Sequence, residues 1–169
     1  MPDICDLILD DHEQFRRRFA ELDDRRREDG SPESLGDLWQ PLADMLERHA
    51  SAEEELFYPT LLARGRRAVD ETDDAISDHN SIRTAVGAAQ RVAAGSDQWW
   101  AAVLDARANN SDHMAEEERE AIPDFRVHVE PSQREDLGVR WLRFSQQHAG
   151  ASGLSGDTKD VEGYIEDHR

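Results

Sequence analysis

Two segments of this 169-residue chain repeat a pattern of side chains that could bind a metal ion. HASAEEELFYP, which starts at His49, and HMAEEEREAIP, which starts at His113, each carry a glutamate four residues after the histidine and end with proline. Residues four apart lie on nearly the same face of an α-helix, about 6 Å apart along its axis. His49 and Glu53 can therefore reach one point, and so can His113 and Glu117.

Both His–Glu pairs lie on apolar helix faces. Each pair continues a run of apolar positions spaced three and four residues apart, which is the spacing of an amphipathic helix. His12 and His79 lie on the apolar faces of two further predicted helices. An ionised carboxylate in a core is costly unless a cation compensates it, and imidazole with carboxylate suits iron, manganese or zinc. Four histidines and two glutamates around one core therefore predict a dinuclear metal centre with bridging carboxylates.

The elements that position these residues are all predicted to be helices. Helical spacing runs through the chain without an alternating strand pattern, and four amphipathic helices with short connections favour an all-α, up-down-up-down four-helix bundle. A weaker fifth stripe, over about residues 132–148, predicts an additional C-terminal helix that covers the bundle. We expect residues 1–148 to form this domain. We expect residues 149–169, which begin with small and polar residues, to form a mobile tail.

The composition excludes several classes of function. With 38 acidic against 20 basic residues, the formal net charge is −18, which disfavours binding to nucleic acid or to anionic membranes. No apolar run approaches the roughly 20 residues that a membrane-spanning helix needs. The single cysteine, Cys5, excludes an internal disulfide and suits a reducing compartment. The sequence thus predicts a soluble, cytoplasmic protein.

The order of the candidate ligands, H…HxxxE…H…HxxxE over four helices, resembles the hemerythrin-like (HHE cation-binding) family of non-haem di-iron proteins. The segments that carry the resemblance are DDHEQF, ERHASAEEE, SDHNSI and SDHMAEEE, and it covers about residues 3–125. It implies two iron ions, oxo- or hydroxo-bridged, held by terminal histidines and bridging glutamates. Carried over position by position, the terminal ligands are His12, His49, His79 and His113, and the bridging ligands are Glu53 and Glu117.

The chain departs from this resemblance on the third helix. Hemerythrins that carry oxygen place two histidines there, four residues apart, whereas Ala75 and Arg83 flank His79 at that spacing. One metal then keeps an extra open position unless another group fills it. Tyr58 is a candidate, because a phenolate can ligate ferric iron. A regular helix would place Tyr58 about half a turn from the ligand face, although Pro59 disfavours the helical conformation just before it.

The predicted function is a di-iron protein that reacts with hydrogen peroxide or oxygen in the manner of a small catalase or peroxidase. An open two-metal site can hold both oxygens of a peroxide. The alternatives are a non-catalytic protein that binds, stores or senses oxygen, nitric oxide or iron, and an interaction module that needs a metal to fold. Arg83 is expected either to pair with an acid or to point into the vacant position. The flanking acids are expected to be solvated: Glu54, Glu55, Glu116 and Glu118.

Overall fold

The structure, a computed structural model, describes residues 1–28 and 30–169, and this part of the chain is all-helical without a strand. In chain order the helices are α1 (Ile4–Arg27), α2 (Pro32–Ala52), α3 (Tyr58–Arg64), α4 (Ala68–Gln90), α5 (Asp97–Glu116), α6 (Ile122–His128), α7 (Pro131–Gln147) and α8 (Val161–His168). Five-residue π-helical turns, Glu53–Phe57 and Glu117–Ala121, join α2 to α3 and α5 to α6. A short 3-10 turn, Ala149–Ala151, follows α7.

Hydroxyl and carboxylate side chains cap the first turns of α1, α2 and α5. Ser31 and Ser96 precede α2 and α5, and each side chain accepts a hydrogen bond from a backbone N–H in the first helical turn. Asp3 does the same for α1. Such caps satisfy backbone donors that have no partner within the helix. The helix starts therefore set which residues of each helix face the core.

The buried apolar residues form two clusters, one on each side of the four histidines. In α1, Ile8 belongs to one cluster and Phe15 to the other, with buried His12 between them. α2 and α4 change from one cluster to the other at or beside their histidines, and the chain after α5 does so at Ala121 in the following π turn. A polar layer thus crosses the middle of the core, and the apolar clusters on both sides keep it away from bulk water.

The covering helix predicted near residues 132–148 is confirmed as α7, which packs against α1 and α2. Its Trp141 ring lies 5.5 Å from the His49 ring, so α7 closes one side of the polar layer.

The segment expected to be a mobile tail has definite packing contacts. In α8, Tyr164 and Ile165 are buried, and the Tyr164 hydroxyl donates a hydrogen bond to the Glu54 backbone carbonyl at 2.6 Å. The Asn80 side chain bonds both the N–H and the carbonyl of Lys159, at 2.7 and 2.8 Å. The residues directly after 148 are small and polar, and the short helix α8 begins only at Val161. The prediction of a mobile tail was based on those first residues.

Candidate metal centre

Both repeated segments change their helical geometry at the glutamate that was predicted to bridge the metals. α2 and α5 give way to the π-helical turns at Glu53 and Glu117, and the sixth residue, Tyr58 or Ile122, donates its N–H to the carbonyl of that glutamate. The proline that ends each segment accounts for this, because its ring clashes with the carbonyl four residues earlier, inside the turn. A π turn inserts one residue and so rotates the following chain by about 100°.

The six predicted ligands lie together in the core, each at most 3 % exposed. His49 Nε2 lies 2.9 Å from Glu53 Oε1, and His79 Nε2 lies 3.2 Å from Glu53 Oε2. His12 Nε2 and His113 Nε2 lie 3.1 and 3.4 Å from Glu117 Oε2.

These side chains form two groups that share one carboxylate. The first comprises His12, His49, Glu53 and Glu117, and the second comprises Glu53, His79 and His113; within each, the candidate ligand atoms lie within 4.8 Å of one another. Of the atoms in these groups, five are buried and complete no hydrogen bond within the described residues, despite their short mutual distances: His12 Nε2, His49 Nε2, both Glu53 oxygens and Glu117 Oε2. Buried polar atoms ordinarily have partners. Cations between these nitrogens and oxygens would satisfy them, and the donor set is one that iron accepts.

In each of the four histidines predicted to bind metal, the second ring nitrogen, Nδ1, faces a carboxylate. Nδ1 of His12 lies 2.9 Å from Glu118, and Nδ1 of His79 lies 2.9 Å from Glu54. Nδ1 of His49 lies 3.0 Å from Asp11, and Nδ1 of His113 lies 3.6 Å from Asp78. Such partners fix the ring orientation and leave Nε2 free for a metal.

The expectation that Glu54 is solvated was wrong, because this residue is only 2 % exposed. The Glu118 side chain is 32 % exposed, so it is partly buried. The missed signal is a longer repeat. DHEQFR (residues 11–16) and DHNSIR (residues 78–83) both have the form DHxxxR, and each is followed by an HxxxEE segment. In each half the aspartate faces the histidine of the next long helix, and the last glutamate bonds the histidine of the other half.

Arg83 is the arginine of the second DHxxxR segment, and its contacts decide between the two expectations for this residue. Arg83 bonds Glu47 at 2.9 Å and Glu54 at 2.8 Å, so it pairs with acids. Its counterpart Arg16 bonds Glu118 at 2.6 Å. In both halves, therefore, an arginine one turn after a histidine holds the glutamate that orients that histidine.

A family model for the Hemerythrin HHE cation binding domain matches residues 3–125, which is more than half of the chain. The chain belongs to the hemerythrin family. No curated protein and no solved structure matches it. The matched region of this hemerythrin contains both halves of the repeat and all six predicted ligands, while α7 and α8 lie outside it. Among the described residues, no helix has the length and apolar character to span a membrane.

Without a metal, the charges of the hemerythrin site compensate one another. Burial opposes the charged form of His49, but Glu53 and Asp11 outweigh it and raise the pKa of His49 to about 10. Burial likewise disfavours ionised Glu53, yet the charge of His49 and the nearby imidazoles of His113 and His79 hold the pKa of Glu53 well below its usual value. Protons on the imidazoles thus stand in for a cation, and a metal must displace them.

Tyr58 is completely buried beside the centre, and its hydroxyl donates a hydrogen bond to Glu117 Oε1. The π turn that precedes it changes the rotation expected from a regular helix. Burial, together with the charges of Glu117 and Glu53, raises the pKa of Tyr58 well above its usual value, so the phenol keeps its proton. Tyr58 as a metal ligand stays a prediction.

Ala75, one of the two positions where oxygen carriers have a second histidine, lines a cavity of about 190 Å³. Tyr58, His113 and Glu117 also line this cavity, so it reaches the predicted metal ligands. A side chain longer than alanine would occupy this space. The departure on the third helix therefore coincides with a space that a small molecule could enter.

Proposed function

We propose that this hemerythrin-family protein binds two iron ions at His12, His49, Glu53, His79, His113 and Glu117, and that the centre reacts with hydrogen peroxide or oxygen in the manner of a small catalase or peroxidase. In this proposal α1, α2, α4 and α5 form an up-down-up-down four-helix bundle around the metals. The observation that supports the metal site most is the set of five buried ligand atoms without a hydrogen-bond partner among the described residues.

The cavity beside Ala75 supports a reaction with a small molecule over reversible oxygen carriage at a shielded metal site. Its volume of about 190 Å³ is ample for hydrogen peroxide, and its inner end is formed by Tyr58, His113 and Glu117. The two apolar clusters keep bulk water scarce, which strengthens electrostatic interactions at the site. When bound, two irons would supply the two electrons that cleavage of one peroxide O–O bond requires, and a second peroxide, oxidised to oxygen, would return them.

The chain's own residues hold the ligands and the proton in place. The carboxylates on the four Nδ1 atoms keep each imidazole directed at the centre. Tyr58 keeps a proton on its oxygen and directs it at Glu117. By exchanging this hydrogen bond for one to a reactant oxygen, a phenol placed at the cavity can assist a reactant without giving up its proton at neutral pH.

The test combines iron analysis with peroxide turnover. Iron-loaded protein should contain two irons per chain and release oxygen from hydrogen peroxide over many cycles, measured with an oxygen electrode. Glu53→Ala should lose most of the iron and the turnover, because Glu53 belongs to both ligand groups. Glu55→Ala, two residues further along the same π turn and exposed, is the matched control and should retain both.

A different outcome would redirect the proposal. A stable and reversible spectrum of an oxygenated form, without peroxide turnover, would contradict the catalase-like function and support an oxygen carrier or sensor. Failure of the wild-type protein to retain iron, or equal iron in Glu53→Ala and Glu55→Ala, would remove the metal assignment itself.

A further inference from the structure

The outer part of the cavity beside Ala75 is lined almost entirely by acidic side chains. Glu71, Asp74, Glu116 and Glu120 line it, with Arg67 as the one basic residue. Asp74 and Glu116 are exposed, whereas Glu117 at the inner end is buried. The cavity thus runs from solvent to a predicted metal ligand.

Most of the negative charge in this cavity is not neutralised. Arg67 pairs with Glu120 at 3.0 Å, which leaves the other three acids without a basic partner among the described residues. One oxygen of Glu71 is buried and has no hydrogen-bond partner in the same part of the chain. Burial, together with the charges of Asp124 and Glu120, raises the pKa of Glu71 to about 7, as expected in a region of negative potential.

The inner end points to the kind of species that the cavity receives. Glu117 Oε2 is one of the buried ligand atoms without a hydrogen-bond partner among the described residues, and Glu117 lines the cavity. Carboxylates of decreasing exposure therefore line the same cavity: the exposed Asp74, the half-buried Glu71 and the buried Glu117. Oxygen ligands in series suit a hard divalent cation that gives up its water in steps.

A second cavity that reaches the centre has a different character. Its volume is about 210 Å³, and it meets His79 beside the buried guanidinium of Arg83. Its lining includes several apolar residues and two carboxylates, Asp44 and Glu47. A cation that approached His79 from this side would meet the Arg83 guanidinium, which is paired with Glu47 and Glu54. The two cavities thus differ in charge, because this one has two carboxylates and one arginine whereas the cavity beside Ala75 has five carboxylates and one arginine.

We propose that the cavity beside Ala75 is the route by which divalent cations reach the metal centre, and that Glu71 and Asp74 form a transient docking site for the cation on the way. The inference rests on the proposed metal centre, which is the destination of the ion. Clefts lined by one sign of charge concentrate ions of the opposite sign and raise their association rates.

The experiment measures the rate of ferrous iron uptake by chelator-treated protein, mixed anaerobically in a stopped-flow instrument. Tryptophan fluorescence can follow uptake, because Trp141 lies against His49. One carboxylate attracts a divalent cation about 8 Å away strongly enough in water to change its local concentration about fivefold. At pH 8, where Glu71 is mostly ionised, Glu71→Gln and Asp74→Asn should each slow uptake about fivefold at low salt, with unchanged final iron content.

Two variants separate the route from general effects of charge. Asp44→Asn removes one carboxylate from the other cavity and should load at the wild-type rate. Ala75→Ile introduces the residue type found at the equivalent position before His12, namely Ile8, and should slow uptake by narrowing the cavity. Added salt should reduce the difference between wild type and Glu71→Gln, because it screens exposed charges.

The results distinguish this inference from the proposed function. If the wild-type protein took up no iron, the proposed metal centre itself would be contradicted. Normal loading by wild type, with equal rates in Glu71→Gln, Asp74→Asn and Asp44→Asn, would overturn the route alone. A loss of final iron content in Glu71→Gln or Asp74→Asn would also overturn it, because these residues would then be permanent ligands.

Discussion

Glu54 offers the sharpest test of the network behind the metal ligands. The substitution is Glu54→Ala, and the matched control is Glu55→Ala at the next position of the same π turn. Glu54 is buried and Glu55 is exposed, although both belong to one run of three glutamates. The prediction is that Glu54→Ala destabilises the metal-free protein and weakens iron binding, while Glu55→Ala does neither.

The magnitude follows from the partners of Glu54. Its Oε1 accepts hydrogen bonds from His79 at 2.9 Å and from Arg83 at 2.8 Å, and its Oε2 lies 2.7 Å from Lys159 Nζ. Removing one member of a buried ion pair costs about 3–5 kcal/mol. Arg83 keeps Glu47, and Lys159 is 41 % exposed and can be hydrated, so we expect about 3 kcal/mol, at the lower end of that range.

Iron binding should weaken because His79 loses the group that orients it. Removing a partner that orients a metal ligand typically lowers affinity about 10–100-fold. Glu54→Gln should lie between the wild type and Glu54→Ala, since an amide oxygen can still accept the Nδ1 proton of His79. In the other half of the repeat, Glu118 has the same role but is 32 % exposed, so Glu118→Ala should cost about 1 kcal/mol.

Urea denaturation of metal-free protein at pH 7 measures the first effect, and competition with a chelator for iron measures the second. Although burial acts against its ionisation, His79 and Arg83 hold the pKa of Glu54 well below its usual value, so Glu54 is ionised under these conditions. An exposed substitution such as Glu55→Ala should stay within about 0.5 kcal/mol of wild type. If the denaturation curves and iron affinities of Glu54→Ala and Glu55→Ala coincided, the proposed support of His79 by Glu54 would be refuted.

Three further predictions concern the cavity, the phenol and the metal. Because the folded-state pKa of Glu71 is about 7, the folded protein binds more protons than the unfolded chain between about pH 4.5 and 7, and stability falls as pH rises through this window. Glu71→Gln should therefore stabilise metal-free protein at pH 8 by about 1 kcal/mol after allowance for solvent screening, and not at pH 4; urea denaturation showing equal gains at both pH values would contradict this. Tyr58→Phe should keep its iron and lose peroxide turnover, and loss of a visible phenolate-to-iron absorption band would instead identify Tyr58 as a ligand. Chelation should lower the melting temperature measured by calorimetry, because a metal that binds only the folded state stabilises it by mass action; an unchanged melting temperature would contradict buried metal sites.

The convergence of the six candidate ligands could be predicted because helical spacing is a property of local sequence. His49 and Glu53 share a face wherever the helix packs, and the apolar residues on that face show that it points inward. The partners of the Nδ1 atoms could not be predicted in this way. Glu54 follows Glu53 by one residue, so a regular helix directs it about 100° away, and only the packing of α4 brings His79 to it.

The π turns are a second feature that helical spacing does not reveal. A change from i→i−4 to i→i−5 hydrogen bonds leaves no periodic trace over five residues. The available signal was chemical, because Pro59 and Pro123 occupy the same place in both segments and proline cannot complete a regular helical hydrogen bond. Without the π turn, the position assigned to Tyr58 was about half a turn from the ligand face, although its hydroxyl in fact reaches Glu117.

The repeat also explains why the centre has an open side near His113 and Glu117. Ala75 and Tyr58 line the cavity there, and the residues at the equivalent places in the other half of the repeat are Ile8 and Ile122. Both isoleucines are buried in one apolar cluster, so side-chain volume fills the first half where the second half leaves space. Two differences between otherwise matching halves thus open a polar, accessible side where the first half is filled by apolar side chains. Both halves share the DHxxxR and HxxxEE segments, so the predicted ligands are the same in each. The direction from which a reactant or a cation approaches is therefore set by the differences at Ala75 and Tyr58.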